Sequence, residues 1–144
     1  MKALKDIYIN FVRNILEQSA VVWHSSLTSR NRIDIERVQK AAVRVIMGNN
    51  YNTYRQSLKE LRLDTLERRR EILCLKFAKK CLQNEKLKNL FPLNKNKHSM
   101  IRRNKRKHET RKIRTTRFEK SAIPYMTKLL NNEQSMKKKM IQYI

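Results

Sequence analysis

Leu4-Lys5-Asp6-Ile7-Tyr8-Ile9-Asn10-Phe11-Val12-Arg13-Asn14-Ile15-Leu16 decides how this chain is read. Leu4, Ile7, Tyr8, Phe11, Val12, Ile15 and Leu16 recur at i, i+3, i+4 and i+7 for about three turns, which is the period of one helix face and not the alternation of a strand. The rest of the 144 residues agrees, because one Gly and two Pro leave few sites for the tight turns of hairpins and sandwiches. With 40% hydrophobic residues there is material for a modest core, and this length predicts one domain and a tail rather than two cores.

Working outward, the first helix is expected to continue toward Trp23, with His24 to Ser29 a loop that ends in an N-cap. A second helix is predicted from about Arg30 to Met47, burying Ile35, Val38, Ala42, Val45 and Ile46. Gly48 ends it as a C-cap, the one residue there that enters a left-handed conformation without a Cβ clash. Tyr54, Leu58 and Leu61 predict a short helix. Asp64 with Glu67 three residues later matches a capping pattern that opens a helix to about Gln83, with Leu66, Leu73, Phe77 and Cys81 on one face. Leu87, Leu90 and Phe91 should fold back on it, and Pro92 ends the packed part. A last apolar patch, Ile123, Tyr125, Met126, Leu129 and Leu130, predicts a short, loosely attached terminal helix. The expected fold is therefore all-α: a small helical bundle over residues 1–91, a basic, partly disordered linker or tail over 92–120, and a short helical segment over 121–144.

Charge sets the function classes. The chain carries 35 Lys+Arg against 12 Asp+Glu, a net +23 that repels itself unless an anionic partner supplies the missing charge. Residues 92–144 hold 16 Lys+Arg and 3 Asp+Glu, and Asn94 to Lys120 alone holds 12 and 2, more than solubility calls for. Such a run grips phosphate backbone by releasing condensed counterions, with little sequence preference. The expected partner is RNA or DNA, and the candidate contacts are Lys95, Lys97, Arg102, Arg103, Lys105, Arg106, Lys107, Arg111, Lys112, Arg114 and Arg117. Arg102-Arg103 and Lys105-Arg106-Lys107 also read as a nuclear-import patch, so a nuclear or cytoplasmic location is expected. The longest apolar runs, Ala20–Trp23 and Ile72–Leu75, are four residues each, far from the roughly 20 of a membrane helix, and early charges argue against a secretory signal. The basic tail also lacks the apolar face that insertion into an anionic membrane surface needs.

Cys74 and Cys81 lie seven residues apart on one predicted helix, about 10 Å along its axis, too far for a mutual disulfide, and read as buried thiols. His24, His98 and His108 are scattered, so no metal site and no cofactor are expected. Trp23 could stack on a base or anchor a core. Arg68, Arg69 and Arg70 could clamp phosphates, or pair with Glu67, Glu71 or a carboxylate on another helix such as Glu17 or Glu36.

Leu16-Glu17 with Trp23, then Glu36-Arg37-Val38-Gln39-Lys40-Ala41-Ala42 with Arg44 and Ile46, then Leu66-Glu67-Arg68-Arg69, together with Arg117-Phe118, Ser121 to Tyr125 and Leu129-Leu130-Asn131, occur in an order and spacing that cover almost the whole chain. This order resembles the region after the polymerase domain in non-LTR retrotransposon (LINE-type, jockey-like) reverse transcriptases. Gln18 departs from the pattern, since the family commonly has tyrosine there. The polymerase's Ala-Asp-Asp core is missing: Asp6, Asp34 and Asp64 are the only aspartates, on separate elements, so no catalytic residue is expected and no paired metal ions for phosphoryl transfer. The resemblance implies a noncatalytic nucleic-acid-binding piece of a reverse transcriptase that holds template or target beside the polymerase. Its alternatives are a helical scaffolding piece packed on that polymerase domain, or a decayed remnant.

Overall fold

The computed structural model describes residues 2–94 and 107–141, and among these residues the secondary structure is helical with no strand element. The chain divides into two compact units, Met1–Leu73 and Cys74–Ile144.

The first unit opens with α1 (Lys2–Ile7), a π-helical turn (Tyr8–Val12) and α2 (Arg13–Glu17). The π turn, closed by Arg13 N–H on the Tyr8 carbonyl, changes the phase of the helix. Tyr8 points into the core with Ile9 and Val12 beside it, while Leu4, Ile7, Phe11 and Ile15 form an exposed apolar stripe, Phe11 at 68% and Ile15 at 72%. The helix does not continue to Trp23 as expected. Ser19 takes a left-handed φ of 52° and breaks it, and the chain restarts as α3 (Ala20–Trp23) followed by a 3-10 turn, His24–Ser26.

Thr28 caps α4 (Ser29–Met47), its hydroxyl accepting from Asn31 N–H at 3.2 Å. The buried face of α4 is Gln39, Val43, Ile46 and Met47, so Val38 and Val45, expected inside, stand exposed. The reason is Gln39, which enters the core because each of its amide atoms finds a partner there. Gly48 ends the helix with φ 53°, its N–H on the Arg44 carbonyl, as the C-cap reading expects. Thr53 caps α5 (Tyr54–Glu60), and the core joins Tyr8, Val43, Ile46, Met47, Leu58 and Leu61.

The boundary of the two units falls inside α6 (Leu66–Gln83). Its cap is Thr65, whose hydroxyl accepts from Arg68 N–H at 3.3 Å, where Asp64 was expected. The buried positions of α6 are Leu66, Arg70, Cys74, Ala78 and Cys81, spaced by four or three residues, and Phe77 is exposed instead of packed. Both cysteines are buried, each about 1% exposed. In the second unit α6 ends in a turn and a 3-10 segment, Lys88–Leu90, that leads to the buried Phe91. Residues 107–115 form no helix, and α7 (Thr116–Glu119) and α8 (Ala122–Ile141) follow. The terminal helix is longer than expected and is packed, with Met126 and Leu130 buried; Pro124 sits in its first turn, where no backbone donor is lost.

Candidate nucleic-acid interface

The basic segment is not free chain along its described part. Asn94 N–H donates to the Lys107 carbonyl at 2.8 Å and Glu109 N–H to the Pro92 carbonyl at 2.9 Å, an antiparallel bridge between Leu93 and His108. His108 is buried and donates from Nδ1 to the Phe91 carbonyl at 3.2 Å. Asn131 on α8 closes the clamp, its Oδ1 accepting from His108 N–H at 3.0 Å and its Nδ2 donating to the His108 carbonyl at 3.2 Å. At the other end Thr115 caps α7 by accepting from Phe118 N–H at 3.2 Å. A strap from Glu109 to Arg114 is thereby held at both ends without helical or sheet pairing of its own, which leaves its side chains to solvent.

Of the eleven candidate contacts, Lys95, Lys97, Arg102, Arg103, Lys105 and Arg106 lie outside the described residues. Lys107, Arg111, Lys112, Arg114 and Arg117 are all exposed. The fold brings Arg111 and Lys112 together with Lys128 of α8 around a cleft of about 490 Å³ that Thr110, Ile113, Asn131 and Asn132 complete. Lys107, Arg114 and Arg117 do not line it. Every titratable side chain on its walls is cationic, with Glu119 reaching Lys128 at 3.3 Å from outside. A second, smaller hollow of about 20 Å³ adjoins it, sharing Thr110, Arg111, Ile113 and Lys128 and adding Leu90, Glu109, Ile123, Pro124 and Thr127. Lys128, Asn131 and Asn132 escaped the sequence reading, although their spacing of three and four residues puts them on one helix face.

The residues behind the family resemblance do different work. Gln39, 1% exposed, accepts from Tyr8 Oη at 2.6 Å and donates to Tyr54 Oη at 2.9 Å and the Asp64 carbonyl at 3.0 Å. Glu36 accepts from Tyr54 Oη at 2.5 Å and from Leu66 N–H at 3.2 Å, so its carboxylate sits on the N-terminus of α6, where negative charge is favoured. Burial pushes both tyrosine hydroxyls far above their usual range, and Glu36 adds to the effect at Tyr54. Arg69 forks onto Glu17 at 2.5 and 3.0 Å, an arrangement that keeps its guanidinium charged.

Arg70 is fully buried and donates from Nε to His24 Nδ1 at 3.3 Å, with its guanidinium 5.7 Å from the Trp23 ring centre. Both of its terminal nitrogens lack a hydrogen-bond partner among the described residues. Burial lowers the Arg70 pKa, and burial with repulsion from Arg70 lowers His24 to about 4. Trp23 donates to the Gln18 carbonyl at 2.8 Å, so ring and indole N–H both serve the fold. Only Arg68 of the arginine triplet is exposed, and Glu71 lies 3.3 Å from it. Inside the first unit, Glu17–Arg69 thus ties α2 to α6, Trp23–Arg70 ties α3 to α6, and Glu36 and Gln39 tie α4 to the start of α6.

Among the described residues no group of three His, Cys, Asp or Glu side chains is placed to hold a metal ion, and no helix is long and apolar enough to cross a membrane. Compared with known proteins, the chain matches no family model, no curated protein and no solved structure.

Proposed function

We propose that the chain is a noncatalytic nucleic-acid-binding module that holds RNA or DNA by its backbone, as the likeness to the post-polymerase region of LINE-type reverse transcriptases implies. The observation that carries this reading is the held strap: Arg111, Lys112 and Arg114 stand exposed on it, Arg117 is exposed on α7, and Lys128 of α8 shares a cleft with Arg111 and Lys112. Their unit, Cys74–Ile144, holds 21 Lys+Arg against 4 Asp+Glu, a net of +17. A cationic surface of fixed geometry gains affinity through counterion release without paying to order a free tail. In an intact element the module would hold template or target next to a polymerase domain, in the nucleus or the cytoplasm.

Titration of the purified chain with duplex DNA at several salt concentrations tests the reading. If roughly six to eight cations engage phosphate, the log-log slope is roughly −5 to −7, and a slope near zero would reject it. Replacing Arg111, Lys112, Arg114 and Arg117 with Gln is expected to weaken binding to all sequences alike.

A second reading, a helical piece that packs on a polymerase domain, is favoured by one observation. Leu4, Ile7, Phe11 and Ile15 present a continuous apolar stripe to solvent, and such a face commonly marks a partner. A monomer in gel filtration that leaves an apolar dye dark would count against it.

A further inference from the structure

The cleft between the strap and α8 holds more than charge. We propose that it is a subsite for a single unpaired nucleotide, so that this module takes single-stranded nucleic acid in preference to duplex. The inference rests on the nucleic-acid reading above and deepens it. Three features of the walls fit the three parts of a nucleotide. Arg111, Lys112 and Lys128 line the cleft and supply charge for a phosphate, Arg111 with a guanidinium fork that can take two of its oxygens. Ile113, 41% exposed on the cleft wall, offers apolar surface for a base face. Asn132, exposed on α8 and on the same face as Lys128, brings a donor and an acceptor to a base edge.

The volume of about 490 Å³ falls in the class of clefts that hold one small ligand. The walls are set before binding, since the His108–Asn131 clamp and the Thr115 cap fix both ends of the strap. A duplex offers this cleft only phosphates, because its bases are stacked and their edges paired, whereas a single strand can turn a base inward.

The experiment uses the full chain and measures affinity by anisotropy for short single-stranded RNA and DNA, for a duplex of equal length, and for a strand of abasic sites that keeps every phosphate. Single strands with bases are expected to bind about tenfold tighter than the abasic strand at matched salt. Asn132→Ala removes one base-edge contact, so it should cost about threefold to tenfold on strands with bases and narrow their advantage over the abasic strand. Arg111→Gln should weaken all strands. Both positions are exposed, and circular dichroism checks that each variant keeps its helices. Equal binding of abasic, duplex and single-stranded ligands overturns the subsite while leaving a general polyanion surface standing. An Asn132→Ala variant with an unchanged ratio overturns it as well. Binding of no strand at all removes this inference together with the reading beneath it.

Discussion

At the residue scale, Arg70 and His24 are the least ordinary pair in the molecule: a fully buried guanidinium donates to the bare Nδ1 of a buried imidazole. The bond requires His24 to be neutral, and burial with the neighbouring Arg70 and Arg32 charges holds its pKa at about 4, against 6.5 for an unburied ring. Between those values the unfolded chain binds a proton that the folded chain refuses, so stability is complete above pH 6.5 and falls as pH drops toward 4. At pH 5 the loss relative to pH 7 is about 2 kcal/mol. Denaturant midpoints at the two pH values read it directly, and His24→Gln, which keeps an acceptor for Arg70 and cannot titrate, is expected to flatten the difference. A variant as pH-sensitive as the natural chain would sink the assignment. The same pair explains a register error in the sequence reading. Arginine is almost never fully buried without a charged partner, so the sequence points Arg70 at a phosphate or a carboxylate and runs the apolar face of α6 through Leu66, Leu73, Phe77 and Cys81, whereas Arg70, Cys74 and Ala78 lie between Leu66 and Cys81 on the buried face. Gln39 turned the face of α4 for the same reason.

At the element scale, the existence of the helices was legible because periodicity, Thr28 and Gly48 mark them in the sequence, and α4, α5 and α6 lie close to where those signals put them. What was not legible is how they close. The end of α5 is a Schellman turn, with Leu63 N–H on the Leu58 carbonyl at 2.8 Å and Arg62 N–H on the Lys59 carbonyl at 3.0 Å. Its left-handed residue is Arg62 at φ 51°, a place where glycine is the usual signal. Exposed Arg62 has a Cβ that is strained there, so Arg62→Gly is expected to stabilise the chain by about 0.5 to 1 kcal/mol even after the extra freedom of unfolded glycine is counted. Arg62→Val should lose about as much. Chemical denaturation of the two variants decides it, and a glycine variant that melts earlier would falsify the strain. The π turn was equally silent: Ile7, Tyr8, Ile9, Phe11 and Val12 supply two apolar faces, and only the phase change at Tyr8–Val12 selects which is buried. In the candidate site, exposed cations were legible from composition, whereas the clamp through His108 and Asn131 joins residues 23 positions apart and leaves no local trace.

At the scale of the whole molecule, charge opposes compactness. The unit Met1–Leu73 carries 14 Lys+Arg and 8 Asp+Glu, and Cys74–Ile144 carries 21 and 4, so most of the net +23 is in the second unit. Two effects of salt compete. Screening weakens ion pairs such as Arg32–Glu67 at 2.7 Å and Lys79–Glu133 at 2.7 Å, yet such partly exposed pairs are worth about 0 to 1 kcal/mol each. It also weakens repulsion among the excess cations, whose field reaches about 30 Å at 0.01 M ionic strength and about 8 Å at 0.15 M. Repulsion grows with the square of the excess while the pairs grow only with their number, so repulsion wins. The melting temperature is therefore expected to rise with sodium chloride over that range, by roughly 4 °C for each kcal/mol of relieved repulsion. An oligonucleotide should reproduce the rise at far lower ionic strength, because it places phosphates on the cations instead of diluting their field, and its effect should saturate as sites fill. Thermal melts with salt alone and with oligonucleotide at constant salt separate the two. A melting temperature that falls with salt would mean the ion pairs outweigh the net charge, and an oligonucleotide that shifts it no further than simple salt would mean the cationic surface has no preference for a phosphate polymer.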